Sequence, residues 1–277
     1  MPVDEAPDLA PGLPGTGRTA RFGTAALAAL ALLFLGLPVA ALLARALLGG
    51  ALAAAPAGAL LEALQLSLVA SLVALLAVVL LGSPLAWVLA RRRFRGKAMA
   101  ETLVDLPIVL PPTVAGLALL LAFGRRGVAG PALEMAGLTI PFTTLAVVVA
   151  QVFVAAPFYI RATRAGLQGV DRELEEAAAV DGASGGQVVR RITIPMAAPA
   201  IGAGLVLAWA RALGEFGATI MFAGSIAGRT RTLPLLIYAE FQDSLDAAVA
   251  AASVLVVAAI GVLVAVRLTQ WRSVLPT

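Results

Sequence analysis

Residues Leu60–Ala90 read LLEALQLSLVASLVALLAVVLLGSPLAWVLA, thirty-one residues with a single charge, Glu62. A helix needs about 20 mostly apolar residues to cross a bilayer. The apolar character runs round the whole helix rather than along one stripe, as burial in lipid or a bundle requires. The run is too long for one perpendicular crossing, so tilt or an overhanging end is expected. Five further stretches qualify as spans: Phe22–Leu48, Thr102–Phe123, Pro141–Ile160, Met196–Phe222 and Ala247–Val266. The expected fold is therefore an all-α integral membrane protein with six transmembrane helices.

Composition agrees. Of 277 residues, 61% are apolar and 13% charged, against about 45–50% and about 25% in soluble domains. So few charges cannot cover a soluble globule of this size. The chain has no Cys and no His, which excludes thiol nucleophiles, disulfides, Cys/His zinc sites, haem ligation by His and Ser-His-Asp triads. A membrane-embedded enzyme is disfavoured further because no paired carboxylates lie within a span.

Residues 1–21 differ in character. Pro2, Pro7, Pro11 and Pro14, with Asp4, Glu5 and Asp8, read as a disordered tail. The apolar run after Arg18 and Arg21 is longer than the roughly 7–15 residues of a signal-peptide core, so it reads as a retained helix, 22–48. With the amino terminus inside, fourteen Lys/Arg fall in inner segments and five in outer ones (Arg45, Arg125, Arg126, Arg229 and Arg231), while Arg211 lies within a span. That asymmetry places both termini in the cytoplasm. It also explains the formal charge of +4: the arginines sit at span ends without interleaved aromatics, so nucleic acid is not an expected partner.

The largest inner loop, Arg161–Pro195, holds Asp171-Arg172-Glu173-Leu174-Glu175-Glu176-Ala177-Ala178-Ala179-Val180-Asp181-Gly182. Leu167, Val170, Leu174, Ala177 and Ala178 fall at helical spacing with charges opposite. Asp171 suits a helix start and Gly182 a left-handed helix end. A second short segment, Ser184–Ile194, should stop near Pro195. The loop thus reads as a helix–Gly–helix unit along the inner membrane surface.

Glu176-Ala177-Ala178, three residues, Gly182, nine residues and Ile192-Thr193-Ile194-Pro195 resemble the EAA loop of ABC-importer permeases. The family pattern is E-A-A-x-x-x-G, nine residues, I-x-L-P, and only Ile194 departs. The resemblance implies that this loop inserts into a groove on a cytosolic ATPase and transmits its motion, with Glu175, Glu176, Ala177, Ala178, Asp181, Gly182, Ile192 and Pro195 as coupling residues. An interfacial amphipathic helix without a partner would explain the stripe, but not the glycine spacing or the Ile-x-Ile-Pro end. The single Lys, Lys97, follows Gly96 and precedes Ala98, outside any G-x-x-x-x-G-K-[ST] loop. No cofactor is expected in this chain; ATP and Mg²⁺ would belong to the partner ATPase.

Two other stretches narrow the resemblance. Leu106-Pro107-Ile108-Val109-Leu110-Pro111-Pro112-Thr113-Val114-Ala115-Gly116 carries three prolines in six residues, which an ordinary helix does not accommodate. Such a break lines a pathway, fits its neighbours as a kink, or sits at the inner interface. Arg211-Ala212-Leu213-Gly214-Glu215-Phe216-Gly217-Ala218-Thr219 places Arg211 and Glu215 four apart on one helix face, with small residues at 214, 217 and 218 for close approach. Together with Gly228-Arg229-Thr230-Arg231-Thr232-Leu233-Pro234, these words are similar to the molybdate/tungstate permease group over residues 60–268. Sulfate permeases are similar but usually differ around these words.

The resemblance implies a six-span permease working by alternating access. It would act as a homodimer with two ATPase subunits and an external oxyanion-binding protein. Pro111, Pro112, Thr113, Arg211, Glu215, Phe216 and Thr219 are the expected pathway or gate residues, with Glu215 neutralised by Arg211 rather than binding the anion. A secondary transporter or channel is the alternative from another class; it has no use for an EAA loop.

Overall fold

The computed structural model describes residues 18–54 and 56–274; the expected tail lies almost wholly outside them. Among the described residues every regular element is a helix. Helix α1 spans Arg18–Leu48, four residues earlier than its expected start, and a short 3₁₀ turn at Ala51–Ala53 leads to α2, Ala57–Arg91. The 35 residues of α2 reach about 50 Å at 1.5 Å per residue, against a hydrocarbon core of about 30 Å, so tilt or overhang is required. The apolar window of α1 is fully exposed by this chain, and its end is tied to a later helix through Arg45 and Asp246 at 2.9 Å.

The third expected span carries the break that its three prolines predict. Thr102–Phe123 is not one helix but parts of two, α3 (Lys97–Val109) and α4 (Pro112–Phe123), bent by 120° at Leu110–Pro111. Pro111 and Pro112 supply no N–H to continue the ladder. Helix α3 also carries Lys97, Glu101 and Asp105 on one face, where Glu101 meets Arg164 at 3.1 Å and Asp105 meets Arg161 at 3.6 Å. Its apolar face, Met99, Leu103 and Leu106, is exposed. The break is therefore between an amphipathic helix at the end of the bundle and an apolar one within it.

After α5 (Gly130–Met135), α6 runs Thr144–Gln168, eight residues past the expected end at Ile160. Thr143 caps it by accepting from Ala146 N–H at 3.3 Å. The carboxylates of α3 stabilise the extra turns by pairing with Arg161 and Arg164, so the loop begins after Gln168 rather than at Arg161. Helices α7 (Arg172–Val180) and α8 (Gly185–Val188) follow.

The second loop segment does not stop at Pro195. A π turn at Val189–Thr193 carries α8 directly into α9, Ile194–Leu213. A proline in an α-helix clashes with the carbonyl four residues before it, here Arg191; the wider π turn relieves that clash and places Pro195 in the first turn of α9. The fifth expected span is also broken: α9 ends at Leu213, and α10 starts afresh at Gly217, ending at Ala223. Helices α11 (Leu233–Asp243) and α12 (Leu245–Val274) complete the fold. Four described helices are long and apolar enough to cross a membrane, or five spans if α3 and α4 count as one.

The spine is α2, α6 and α9, packed through small residues. A Cβ on Gly82 would lie 3.0 Å from the Tyr159 ring, one on Gly204 2.9 Å from Ala162, and one on Gly166 2.6 Å from Ala200. Where lipid is as apolar as the side chains, such close contact is a main source of helix association. Buried polar groups add specific ties: Trp209 Nε1 donates to Ser71 Oγ at 2.9 Å, the Leu233 N–H donates to Ser67 Oγ at 2.7 Å, and the Ser83 and Tyr159 hydroxyls lie 2.7 Å apart.

Candidate functional site: the loop and the broken helices

The loop is built by local rules. Asp171 accepts from Glu173 N–H at 2.9 Å and starts α7. The helix ends in a Schellman motif: Ala183 N–H donates to the Ala178 carbonyl at 3.0 Å and Gly182 N–H to the Ala179 carbonyl at 3.1 Å, with Gly182 at φ +90°. Ser184 and Gln187 form a reciprocal capping box that opens α8. Replacing Gly182 with Val forces a β-branched residue into the left-handed region, at roughly 1–2 kcal/mol. The expected result is a several-fold loss of uptake at normal membrane abundance, measured by transport and immunoblot.

Glu175 anchors this unit. It accepts from both terminal nitrogens of Arg91, at 2.9 and 2.8 Å, and from the Thr193 hydroxyl at 2.5 Å. One carboxylate thus joins α7, the last turn of α2 and the π turn. The Arg91 and Glu175 side chains are only 13% and 18% exposed, and Arg91 also lies 5.7 Å from the Trp87 ring centroid. A two-pronged, partly buried pair of this kind fixes orientation as well as distance.

No residue of α7 itself is buried. Glu176, Ala177, Asp181, Gly182 and Pro195 are exposed, whereas Ala178 and Ile192 are half-buried. Of the expected apolar stripe, Leu167 and Val170 are buried against Ala197, but Leu174 is 47% exposed. Glu176 and Ala179 line an open cleft of about 460 Å³ together with Trp87, Arg91 and Val188. The chain therefore presents α7 outward, fixed at its root and uncovered along its length.

The two breaks meet each other. Helix α10 packs on α4: a Cβ on Gly217 would overlap Pro112, and one on Gly116 would lie 2.6 Å from the Ala218 carbonyl oxygen and 2.7 Å from Met221 Cβ. Glu215 is 1% exposed. Its Oε1 accepts from Ala218 N–H at 2.7 Å and its Oε2 pairs with Arg211 at 2.5 Å. It thus bridges the end of α9 and the start of α10. The pair forms as expected, although the two residues do not share one helix. Phe216 packs against Tyr238 with ring centroids 5.2 Å apart. Pro111, Pro112 and Thr113 are exposed, while Thr219 has no accessible surface and its hydroxyl has no hydrogen-bond partner.

At the opposite end from α7, a cleft of about 640 Å³ is lined by Arg125, Thr139, Phe142, Thr143 and Arg229. Thr144 Oγ1 donates to the Arg229 carbonyl at 2.9 Å, holding that loop to the start of α6. Phe142, at φ +60°, is the one non-glycine residue with positive φ among the described residues, and its N–H donates to the Phe222 carbonyl at 3.3 Å. Neither this cleft nor the Arg91–Glu175–Thr193 anchor was expected from sequence. The first needs the fold to bring residues 125, 142 and 229 together. The second had a faint signal, an arginine in the last turn of a long apolar helix.

Residues 79–271 match the family described as the binding-protein-dependent transport system inner membrane component. The chain belongs to that family. It is thus a multi-pass inner membrane component of an ABC importer, a class that works with a binding protein and an ATPase, and it is a transport component rather than an enzyme. Among relatives, it is 44% identical over 76% of its length to 73% of a probable transport system permease protein, NifC, of Clostridium pasteurianum. It is 48% identical over 71% of its length to 75% of the molybdenum transport system permease protein ModB of Mycobacterium tuberculosis. A sulfate transport system permease protein, CysT, of Salmonella typhimurium is 37% identical, with 76% of each chain covered.

The fold is also that of solved ABC transporters. A bacterial alginate ABC transporter in complex with alginate pentasaccharide-bound periplasmic protein aligns with a TM-score of 0.61 at 19% identity, covering 78% of this chain and 80% of that one. An amino acid ABC transporter aligns at 0.58 and 22% identity, covering 78% and 94%.

Proposed function

We propose that this chain is the permease of an ATP-driven importer for molybdate, with tungstate as its close analogue. The carrying observation is the identity of 41–48% to the ModB permeases, against 37–38% to the sulfate permeases. Two copies would pair, each engaging one ATPase subunit through α7 and its Glu176-Ala177-Ala178 face. ATP would favour one conformer of the pair over the other, and that difference in affinity is what drives alternating access. Both termini and the α7 end lie inside, on the distribution of arginines. The Arg125–Arg229 cleft is then the outer mouth, where two guanidiniums raise the local concentration of an anion released by the binding protein. Glu215, neutralised by Arg211, adds no repulsive charge to the path.

Sulfate is the second reading, because the sulfate permeases match over similar lengths. The chain is reconstituted with its ATPase and supplied with molybdate-loaded or sulfate-loaded binding protein. Molybdate-loaded protein should drive uptake at least about tenfold faster, equal to about 1.4 kcal/mol of discrimination. Equal or reversed rates would select sulfate.

A further inference from the structure

A group of cations beside the loop is only partly matched by counter-charge. Arg91-Arg92-Arg93-Phe94-Arg95-Gly96-Lys97 ends α2, turns at Gly96 (φ +87°) and opens α3. Lys97 closes the turn, its N–H donating to the Phe94 carbonyl and its Nζ to the Arg92 carbonyl, both at 3.4 Å. Arg91, Arg92, Arg93 and Lys97 of this turn, with Gln168 and Arg172, wall a cavity of about 360 Å³. Five of its lining residues are cationic and none is acidic. Arg91 is committed to Glu175, and Lys97 lies 4.0 Å from Glu101. Arg92, Arg93 and Arg172 make no ion pair among the described residues.

The depth of the cavity follows from α3. That helix turns Glu101 and Asp105 toward α6 and exposes Met99, Leu103 and Leu106 at 64%, 61% and 43%. A helix so divided lies in the boundary between head groups and acyl chains. The cavity sits at its first residue, Lys97, with Phe94 exposed among the arginines, an aromatic placed as at a membrane interface. Basic pockets between membrane helices at this level suit phosphate head groups.

We propose that this cavity binds the phosphate of an anionic phospholipid, phosphatidylglycerol or cardiolipin, through Arg92, Arg93 and Arg172. The exposed Met99–Leu103–Leu106 face takes the acyl chains, a contact that free phosphate cannot make. The lipid then lies against Arg91, the residue that anchors the loop.

The full chain in neutral detergent is offered equal amounts of cardiolipin and phosphatidylcholine and read by native mass spectrometry. Wild type should retain cardiolipin over phosphatidylcholine by about tenfold or more. Arg92→Gln with Arg93→Gln should bring the ratio to parity, and Arg92→Lys with Arg93→Lys should recover most of it. Equal melting temperatures of the three proteins in phosphatidylcholine establish that the fold is intact. The proposal is overturned by parity in wild type, by an undiminished preference in the Gln variant, or by displacement of the lipid with low-millimolar inorganic phosphate. It is equally overturned if the ATPase covers the cavity and expels the lipid from the assembled complex.

Discussion

Replacing Glu215 with Ala should leave much less folded protein in the membrane than any other single change considered. The substitution removes the acceptor for Ala218 N–H and leaves Arg211 facing a buried void. Breaking a buried ion pair from one side costs about 3–5 kcal/mol. Arg211 is 31% exposed here, so the lower end of that range is expected. At about 3 kcal/mol, a chain of this size should melt roughly 6–12 °C lower. Glu215→Gln keeps an oxygen for Ala218 but turns its amide donors on the guanidinium, so it should fall between Ala and wild type. Melting curves of the purified variants, with membrane abundance beside them, test this. An Ala variant that inserts and melts as wild type does would show that the α9–α10 break is held by other contacts.

The second large effect concerns transmission rather than folding. Glu175→Ala and Arg91→Ala should each lower ATP-driven uptake by about tenfold or more while ATP hydrolysis by the assembled complex persists. Hydrogen bonds to charged groups contribute about 1.5–3 kcal/mol, enough to free α7 from α2 without unfolding a bundle whose spine lies elsewhere. The double variant should be little worse than either single one, because both remove the same tie. Arg91→Lys should recover only part of the activity, since an ammonium cannot form two parallel bonds to one carboxylate. Thr193→Val, which loses one neutral donor to Glu175, should have a smaller effect. Additive losses, or loss of hydrolysis in parallel with uptake, would mean that the pair serves stability or ATPase assembly instead.

The legible parts of the fold were those governed by local pattern. The second span, Leu60–Ala90, matches α2 within three residues at its start and one at its end. Asp171 and Gly182 mark the ends of α7 through a cap and a left-handed residue, both local devices. The prolines of Leu106–Gly116 announce the first break, whereas its 120° bend and the second break, between Leu213 and Gly217, are not legible, because apolarity outweighs the interruptions. Lys97, Glu101 and Asp105 recur every four residues, a pattern for one charged helix face, and Asp105 lies inside the stretch expected to cross the membrane. Gly217 does allow the close approach its size suggests, against Pro112, but Gly214 and Gly217 also flank a break that small size alone does not announce. Pro195 was read as a stop because the clash is local; that a π turn absorbs it depends on the following helix being held by α2 and α6. The Arg91–Glu175 pair joins residues 84 apart in sequence, which no local pattern records.

The central claim is that α7 is the point at which the ATPase grips this chain. The absence of native cysteine makes this directly measurable. A single thiol is placed on α7 by Val180→Cys, where the side chain is 86% exposed, or at the opposite end by Met135→Cys, also 86% exposed. Each is cross-linked to its assembled ATPase partner with a short maleimide–succinimidyl ester reagent, which joins the introduced thiol to a lysine amine of the ATPase. The expected result is a cross-link from position 180 whose yield changes on adding ATP, and none from position 135. No cross-link from position 180 in a complex that still transports would contradict the claim.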